Sequence, residues 1–255
     1  MLYKYLPYPV FKALFGDRRN SGQRQEGDGN ICGQWQDAYM DFNLYYKKNC
    51  GDRVNHAGYE IMRLVDLTDK RVLEIGPGEV GHIGLWSGRP CQYEIMDVDR
   101  NLLDKAAKKL KEKSVPFSAS LLTRDNQEAF PFAEGVFDMI VSFYAFEHIH
   151  GLDTYLEKLV KLLKNGGKIV GAIPCEGGIG WGLGRYFTTR RWLKKNTSID
   201  PDRLICWEHP NFAGNILKVL DKFMTRSYIK YWPLRLPSVD LNLVVSFIYT
   251  KDNPV

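Results

Sequence analysis

Arg71 to Trp86 reads RVLEIGPGEVGHIGLW, a short apolar run followed by three glycines, Gly76, Gly78 and Gly81, in the spacing G-x-G-x-x-G. An apolar, β-branched run broken by glycine is a strand delivered into a tight turn, where a missing Cβ lets the backbone approach a ligand. The spacing is that of dinucleotide sites, but the neighbouring residues argue against one. A dinucleotide turn sets a pyrophosphate against a helix N-terminus, where an acidic side chain is unfavourable. Glu74 closes the strand and Glu79 sits in the turn. That pair suits a ligand with positive charge near the loop, such as an amino group or a sulfonium.

Downstream, apolar runs at 93–98, 115–122, 137–143 and 168–173 alternate with helix-patterned segments at about 80–87, 101–113 and 152–164. Strand followed by helix, repeated, predicts parallel strands joined by right-handed crossovers in a doubly wound α/β sheet. A further helix near 211–224 precedes two final strands, at 226–232 and 241–249. Only PLRLPSVD separates these two, too little for a helical crossover, so the last strand is expected to run antiparallel.

In such a sheet ligands bind above the carboxyl ends of the strands, at the turn after the first strand and the end of the second. Asp97 follows Gly78 by nineteen residues and ends the second predicted strand. A carboxylate there can accept both hydroxyls of a ribose. Asp99, two residues on, is the competitor, although it could equally cap the next helix.

Three stretches in order, VLEIGPG, MDVDRNLLDKA and FPFAEGVFDMIVSFYAFEHIHGLDTYLEKLVKLLKNGGKIVGAIP, resemble successive motifs of the class I S-adenosylmethionine-dependent methyltransferases, over about residues 71–174. The resemblance implies a mostly parallel seven-stranded sheet with the last strand antiparallel, and S-adenosyl-L-methionine as cofactor. Glu74, Gly76 and Gly78 would lie under its methionine end, Asp97 would hold the ribose, and Met96 or Val98 would lie against the adenine. Asp125, or else Asn126, would hold the adenine amino group, and Tyr144 with the backbone around Ser142 and Phe143 would complete the pocket. One departure stands out: the third glycine of the family's loop is here Val80, with Gly81 one place later.

Methyl transfer from a sulfonium needs nucleophile, carbon and sulfur held in line, and a hydroxyl nucleophile benefits from a general base. His148 and His150, after the fourth strand, and His209 are the candidate bases, with capping or packing as the alternative for His148 and lid packing for His209; Glu147 is either a substrate contact or a helix N-terminal acid, and His82 is expected to be structural. The segment from about 174 to 212 is expected to form a lid that supplies Trp181, Arg185 and Glu208 to an acceptor, with Arg190, Arg191, Tyr186, Trp192 and Trp207 nearby. Guanidinium groups and aromatic faces there suggest a small or saccharide acceptor, anionic and methylated at oxygen. Five glycines between 177 and 184 suggest that the lid moves.

The expected organisation is an N-terminal extension or cap over 1–52 and a methyltransferase domain over 53–255. The chain has 255 residues, 44% hydrophobic and 25% charged, the balance of a globular protein rather than a disordered one. Five scattered cysteines without a C-x-x-C pair, and no secretory signal, favour a reducing, cytoplasmic setting over disulfides or a zinc site. The aromatic N-terminus MLYKYLPYPVFKALFG is expected to cover the protein's own core, with a peripheral membrane contact as the alternative. Between 180 and 235 eleven Lys/Arg face four Asp/Glu, a basic stretch that raises RNA methylation as an alternative function. No recognisable RNA-binding module accompanies it, so nucleic acid is not the expected partner. A non-catalytic cofactor-binding protein is the other alternative, and a nicotinamide dehydrogenase rests on the glycine spacing alone.

Overall fold

In the computed structural model the described residues are 1–19, 28–46, 51–123 and 130–252. A short 3-10 turn precedes α1 (Tyr8–Phe15), α2 (Asp28–Tyr46) and α3 (Asp52–Tyr59), which leads to β1 (Arg71–Ile75). Then follow β2 (Gln92–Asp97), α4 (Arg100–Glu112), β3 (Phe117–Leu121), β4 (Phe137–Phe143), α5 (Leu152–Lys161) and β5 (Leu163–Pro174). The last third holds α6 (Ile179–Arg185), a π-helical turn at Tyr186–Arg190, α7 (Arg191–Asn196), α8 (Pro201–Glu208), α9 (Ala213–Phe223), β6 (Thr225–Trp232) and β7 (Val244–Thr250).

The strands form one seven-stranded sheet in the order β3-β2-β1-β4-β5-β7-β6. β7 runs antiparallel to both neighbours, β5 and β6, while the pairs among β1 to β5 are parallel. This is the doubly wound α/β architecture, with the chain reversing its lateral direction between β1 and β4.

Alternation along the strands assigns side chains to the two faces. Leu73, Ile75, Ile140, Ile169 and Phe247 point to one core with Leu156 and Leu159 of α5 and Ile216 and Leu220 of α9. Val72, Val141, Val170 and Ile248 point to the other, with Leu103, Ala106 and Leu110 of α4. The three α4 residues fall on one helical stripe, and Asp99 starts that helix by accepting the amides of Asn101 and Leu102. Asp99 is therefore a helix cap.

Several boundaries differ from expectation. In place of a helix over 80–87 there is a single 3-10 turn at Ile83–Leu85, because the segment is pinned by side-chain bonds beneath the glycine turn, described below. β5 begins at Leu163 rather than at 168 and carries the NGG stretch within it. In the N-terminal segment Tyr3, Phe11 and Phe15 make ring contacts with one another, and Tyr3 and Phe15 also meet Phe212. The polar, glycine-containing stretch GDRRNSGQRQEGDGN at 16–30 is expected from sequence to be a loop; its residues 20–27 lie outside the described residues, and 28–30 begin α2.

Gly178 and Gly182, two of the five glycines between 177 and 184, sit where a side chain would collide with neighbouring elements. A Cβ on Gly178 would stand 2.1 Å from the carbonyl oxygen of Val239, and one on Gly182 would stand 2.7 Å from the ring of Phe15. These two glycines permit close contact with the 239–242 turn and with α1, while a Cβ on Gly184 would meet nothing within 4 Å.

Candidate active site

A cleft of 1390 Å³ opens at the carboxyl ends of β1, β2 and β4, above the point where the strand order reverses. Single-ligand sites are commonly about 300–1,000 Å³, so this cleft has room for a nucleoside cofactor and a second molecule.

Its inner half is built by three turns. After β1, Gly76 (φ +65°) and Gly78 (φ +53°) take left-handed backbone conformations, and a Cβ at Gly78 would meet nothing within 4 Å. The turn thus presents bare backbone to open space, a cradle that a side chain would fill. Val80 is also left-handed, at φ +48°, yet its side chain is fully buried. A β-branched residue in this conformation carries a steric cost, here offset by apolar burial.

Glu74 reaches this cleft, but both of its carboxylate oxygens are engaged: Oε1 with Nε2 of His82 at 2.7 Å and Oε2 with the hydroxyl of Tyr93 at 2.9 Å. The indole of Trp86 donates to Nδ1 of His82 at 2.8 Å, so the His82 proton resides on Nε2 and is given to Glu74. Glu74 anchors the segment under the glycine turn, with His82 structural as expected. The positive-ligand argument then falls on Glu79, which is exposed and 3.4 Å from Lys105.

After β2, Asp97 stands at the cleft edge and accepts the amide of Asp99 through Oδ1 at 2.9 Å; Met96 and Val98 line the cleft beside it. After β4, Phe143, Tyr144 and Ala145 form the wall, Tyr144 at φ +56° with its hydroxyl donating to the carbonyl of Val54 at 2.8 Å. Ser142 is one residue short of this wall, buried in β4 with no hydrogen-bond partner for Oγ among the described residues. Asp125 and Asn126 lie outside the described residues. The residues present fit a nucleoside cofactor: a turn with two glycines, a carboxylate at the end of β2 and an apolar flank in Met96 and Val98.

The outer half brings together residues far apart in sequence. Glu147 and His148 sit in a 3-10 turn after β4, and His209 follows α8. Asn211 ties the two, its Nδ2 donating to the carbonyls of Phe146 at 3.0 Å and Ile149 at 2.6 Å. Arg18 holds the same segment from the other side, donating to the carbonyls of His209 and Pro210. The rings of His148 and His209 meet edge to face, centroids 4.6 Å apart.

Behind them lies a carboxylate that sequence reasoning missed. Glu176 is fully buried; Arg185 grips both of its oxygens, the indole of Trp181 donates to Oε2 at 2.9 Å, and Nδ1 of His209 lies 3.1 Å away. Burial opposes its charge, but Arg185, His209 and Arg18 hold it well below the usual carboxylate range. Its signal was faint, a lone acid between Cys175 and two glycines. Arg185 lines the cleft, yet its guanidinium is committed to Glu176, and that of Arg190 to Asp202 and the carbonyl of Lys12. Neither is an open fork for an anion.

Three titratable groups of the outer half behave differently. Burial and Arg185 lower His209 to about 4, leaving it neutral near pH 7. Nδ1 of His209 also lies 3.2 Å from Arg185. Since the guanidinium is already satisfied by Glu176, we assign the His209 proton to Nδ1, donated to that carboxylate, leaving Nε2 with the lone pair. Burial works against charge on His148, but Glu208, through a carbonyl 2.5 Å from Nδ1 and a carboxylate at 3.4 Å, raises it to about 9. Its side chain is 39% exposed, so water screens part of that effect. Burial raises Glu147 to about 7.

Aromatic side chains complete the chamber. Trp35, Tyr39 and Phe42 of α2 line it together with Trp181 and Trp207, and Phe42 is braced by Trp192 at 5.4 Å.

Residues 73–171 match the family described as a methyltransferase domain. Over 129 residues the chain is 28% identical to the human mitochondrial arginine-hydroxylase NDUFAF5, the match spanning 51% of this chain and 34% of that protein. The chain therefore spans about a third of the curated relative it matches. Among solved structures it is similar to the N-methyltransferase NodS of Bradyrhizobium japonicum in complex with S-adenosyl-L-homocysteine, at TM-score 0.55 and 15% identity, covering 85% of this chain and 99% of that one. It is likewise similar to a chain of the Haloferax volcanii complex between the Trm112 methyltransferase activator and a methyltransferase, at TM-score 0.56 and 12% identity, covering 88% and 99%. At these identities the structural likeness is one of fold. Among the described residues no helix is long and apolar enough to cross a membrane, and no group of three or more His, Cys, Asp and Glu is arranged to hold a metal.

Proposed function

The chain carries a class I S-adenosylmethionine-dependent methyltransferase domain, and from that premise we propose that it transfers the methyl group to an oxygen of a small or glycan-like acceptor bound in the outer half of the cleft. The observation that carries this reading is the continuity of the cleft, from the bare glycine turn and Asp97 to a chamber walled by aromatic rings and two histidines. When bound, S-adenosylmethionine supplies a methyl group on a sulfonium, and its transfer leaves a neutral thioether.

The chain's own part is positioning and proton removal. Asp97 would receive the ribose hydroxyls, Val98 would flank the adenine, and Gly76, Gly78 and Tyr144 would bound the methionine end. Residues 1–52 would act as a cap and about 174–212 as the lid that closes the acceptor chamber. Nε2 of His209 would accept the acceptor's hydroxyl proton, with Glu176 fixing the ring through Nδ1, an orienting carboxylate of the kind found in catalytic triads. A base of low pKa suffices because the hydroxyl becomes acidic as its oxygen bonds to carbon. His148, held cationic by Glu208, is the poorer base. The anionic character expected from the arginines is not part of this proposal, since Arg185 and Arg190 are engaged.

The test is turnover on a panel of hydroxylated and amino acceptors, read by product mass. A product heavier by one methylene group supports the proposal. A product heavier by one oxygen atom would favour a hydroxylase, the activity named for the human relative. His209→Asn should lower kcat while leaving affinity for S-adenosylhomocysteine unchanged.

A further inference from the structure

Glu147 is 2% exposed, lines the outer cleft, and its Oε2 has no hydrogen-bond partner among the described residues. Buried carboxylate oxygens without a donor are rare because the desolvation cost is not recovered. We propose that this oxygen is a cation anchor: a protonated amine or a guanidinium carried by the acceptor sits on Glu147. The inference rests on the reading of the outer cleft as the acceptor chamber and names the chemical class that chamber selects.

The neighbouring cations are otherwise occupied. Arg185 gives both guanidinium nitrogens to Glu176. His148 turns Nδ1 toward Glu208, leaving Nε2 at 3.9 Å from Oε1 of Glu147, beyond hydrogen-bond reach. An incoming N–H donor with positive charge gives Oε2 the hydrogen bond that His148, in ion-pair range of Oε1 only, does not supply, whereas an anion would meet Glu147 and Glu208 together. Aromatic faces along the same chamber, Tyr39, Phe42 and Trp207 among them, favour a cation over an anion as well. With methyl transfer to oxygen, the acceptor class is an amino or guanidino compound bearing a hydroxyl.

The probes are n-propylammonium and n-propylguanidinium, with neutral n-propylurea and anionic butyrate as controls. Binding is followed by ligand-observed NMR on the S-adenosylhomocysteine-loaded and the cofactor-free protein. The proposal expects one or both cations to bind at least about tenfold more tightly than urea or butyrate, and Glu147→Gln to abolish that preference. It also expects the variant to retain its affinity for S-adenosylhomocysteine. The relative strength of the two cations separates an amine from a guanidine. Equal binding of propylurea, tighter binding of butyrate, or a preference retained in Glu147→Gln would overturn it.

If that variant does not fold, the wild type still decides. Cation affinity should fall as pH drops through about 7, the value to which burial raises Glu147. The other titratable or charged groups facing it are His148, Glu208, His209, Glu176 and Arg185; His209 is lowered to about 4, below that window, and His148 is raised by Glu208 and gains charge as pH falls, so the profile is read against the same titration in His148→Asn. A flat profile would overturn the proposal. Cation binding in a protein that fails to bind S-adenosylhomocysteine would instead count against the methyltransferase reading and leave the anchor standing.

Discussion

Glu176 and Arg185 form a two-pronged ion pair inside the protein, Nη1 donating to Oε1 at 2.7 Å, with the carboxylate fully buried and the guanidinium 7% exposed. The pair joins the end of β5 to α6, and its carboxylate also orients His209 and Trp181. Removing one partner of a buried pair strands the other, at a cost of about 3–5 kcal/mol. Glu176→Ala is expected to lose that much stability in urea unfolding, and Glu176→Gln less. A loss below about 1 kcal/mol, the scale of an exposed pair, would show that the cluster does not secure the lid.

Asp97 is expected to carry the ribose contact. Asp97→Ala should weaken S-adenosylhomocysteine binding at least about tenfold, since a hydrogen bond to a charged group contributes about 1.5–3 kcal/mol. Asp99→Ala should lower thermal stability by about 1 kcal/mol, the usual worth of a helix cap, with little effect on affinity. Calorimetry on the two variants checks both, and the reverse pattern would exchange the two roles.

The inner half of this site was legible in the sequence and the outer half largely was not. Strand period, glycine spacing and the delay from Gly78 to Asp97 are local features, and they located the sheet, the turn and a carboxylate at the end of β2. They could not say that Glu74 is spent on His82 and Tyr93, because those partners arrive from a later turn and a neighbouring strand. Arg185 read as an open fork for the same reason: its partner, Glu176, carries no pattern of its own. His148 and His209 were both candidates, but only burial and the contacts of Glu208 and Arg185 separate the cationic ring from the neutral one.

Val80 offers a test of the turn itself. Its left-handed φ costs about 1–2 kcal/mol relative to glycine, while its fully buried side chain contributes about 1.5–3 kcal/mol. Val80→Ala loses the burial and keeps the strain; Val80→Gly loses the burial and relieves the strain. The glycine variant should therefore be at least as stable as the alanine variant in thermal unfolding, the opposite of the order at an ordinary position. An alanine variant more stable by about 1 kcal/mol would contradict the assigned conformation.

The pH dependence of stability should carry the mark of Glu147. Its folded pKa, about 7, lies above the unfolded value of 4.5. Its contribution is therefore full below 4.5 and is lost as pH rises through about 7. Glu147→Gln removes that loss, so the stability difference, variant minus wild type, should grow across this window by roughly 3 kcal/mol at most. His209, whose folded pKa is lowered to about 4, acts in the opposite sense in both proteins and cancels in the difference. A difference independent of pH would contradict the burial assigned to Glu147.

The cleft above β1, β2 and β4 is proposed to hold S-adenosylmethionine for methyl transfer. Calorimetric titration of the folded protein with S-adenosylmethionine and with S-adenosylhomocysteine tests it most directly. Saturable binding of both at one site, weakened by Asp97→Ala, is the expected result. A folded protein that binds neither would contradict it.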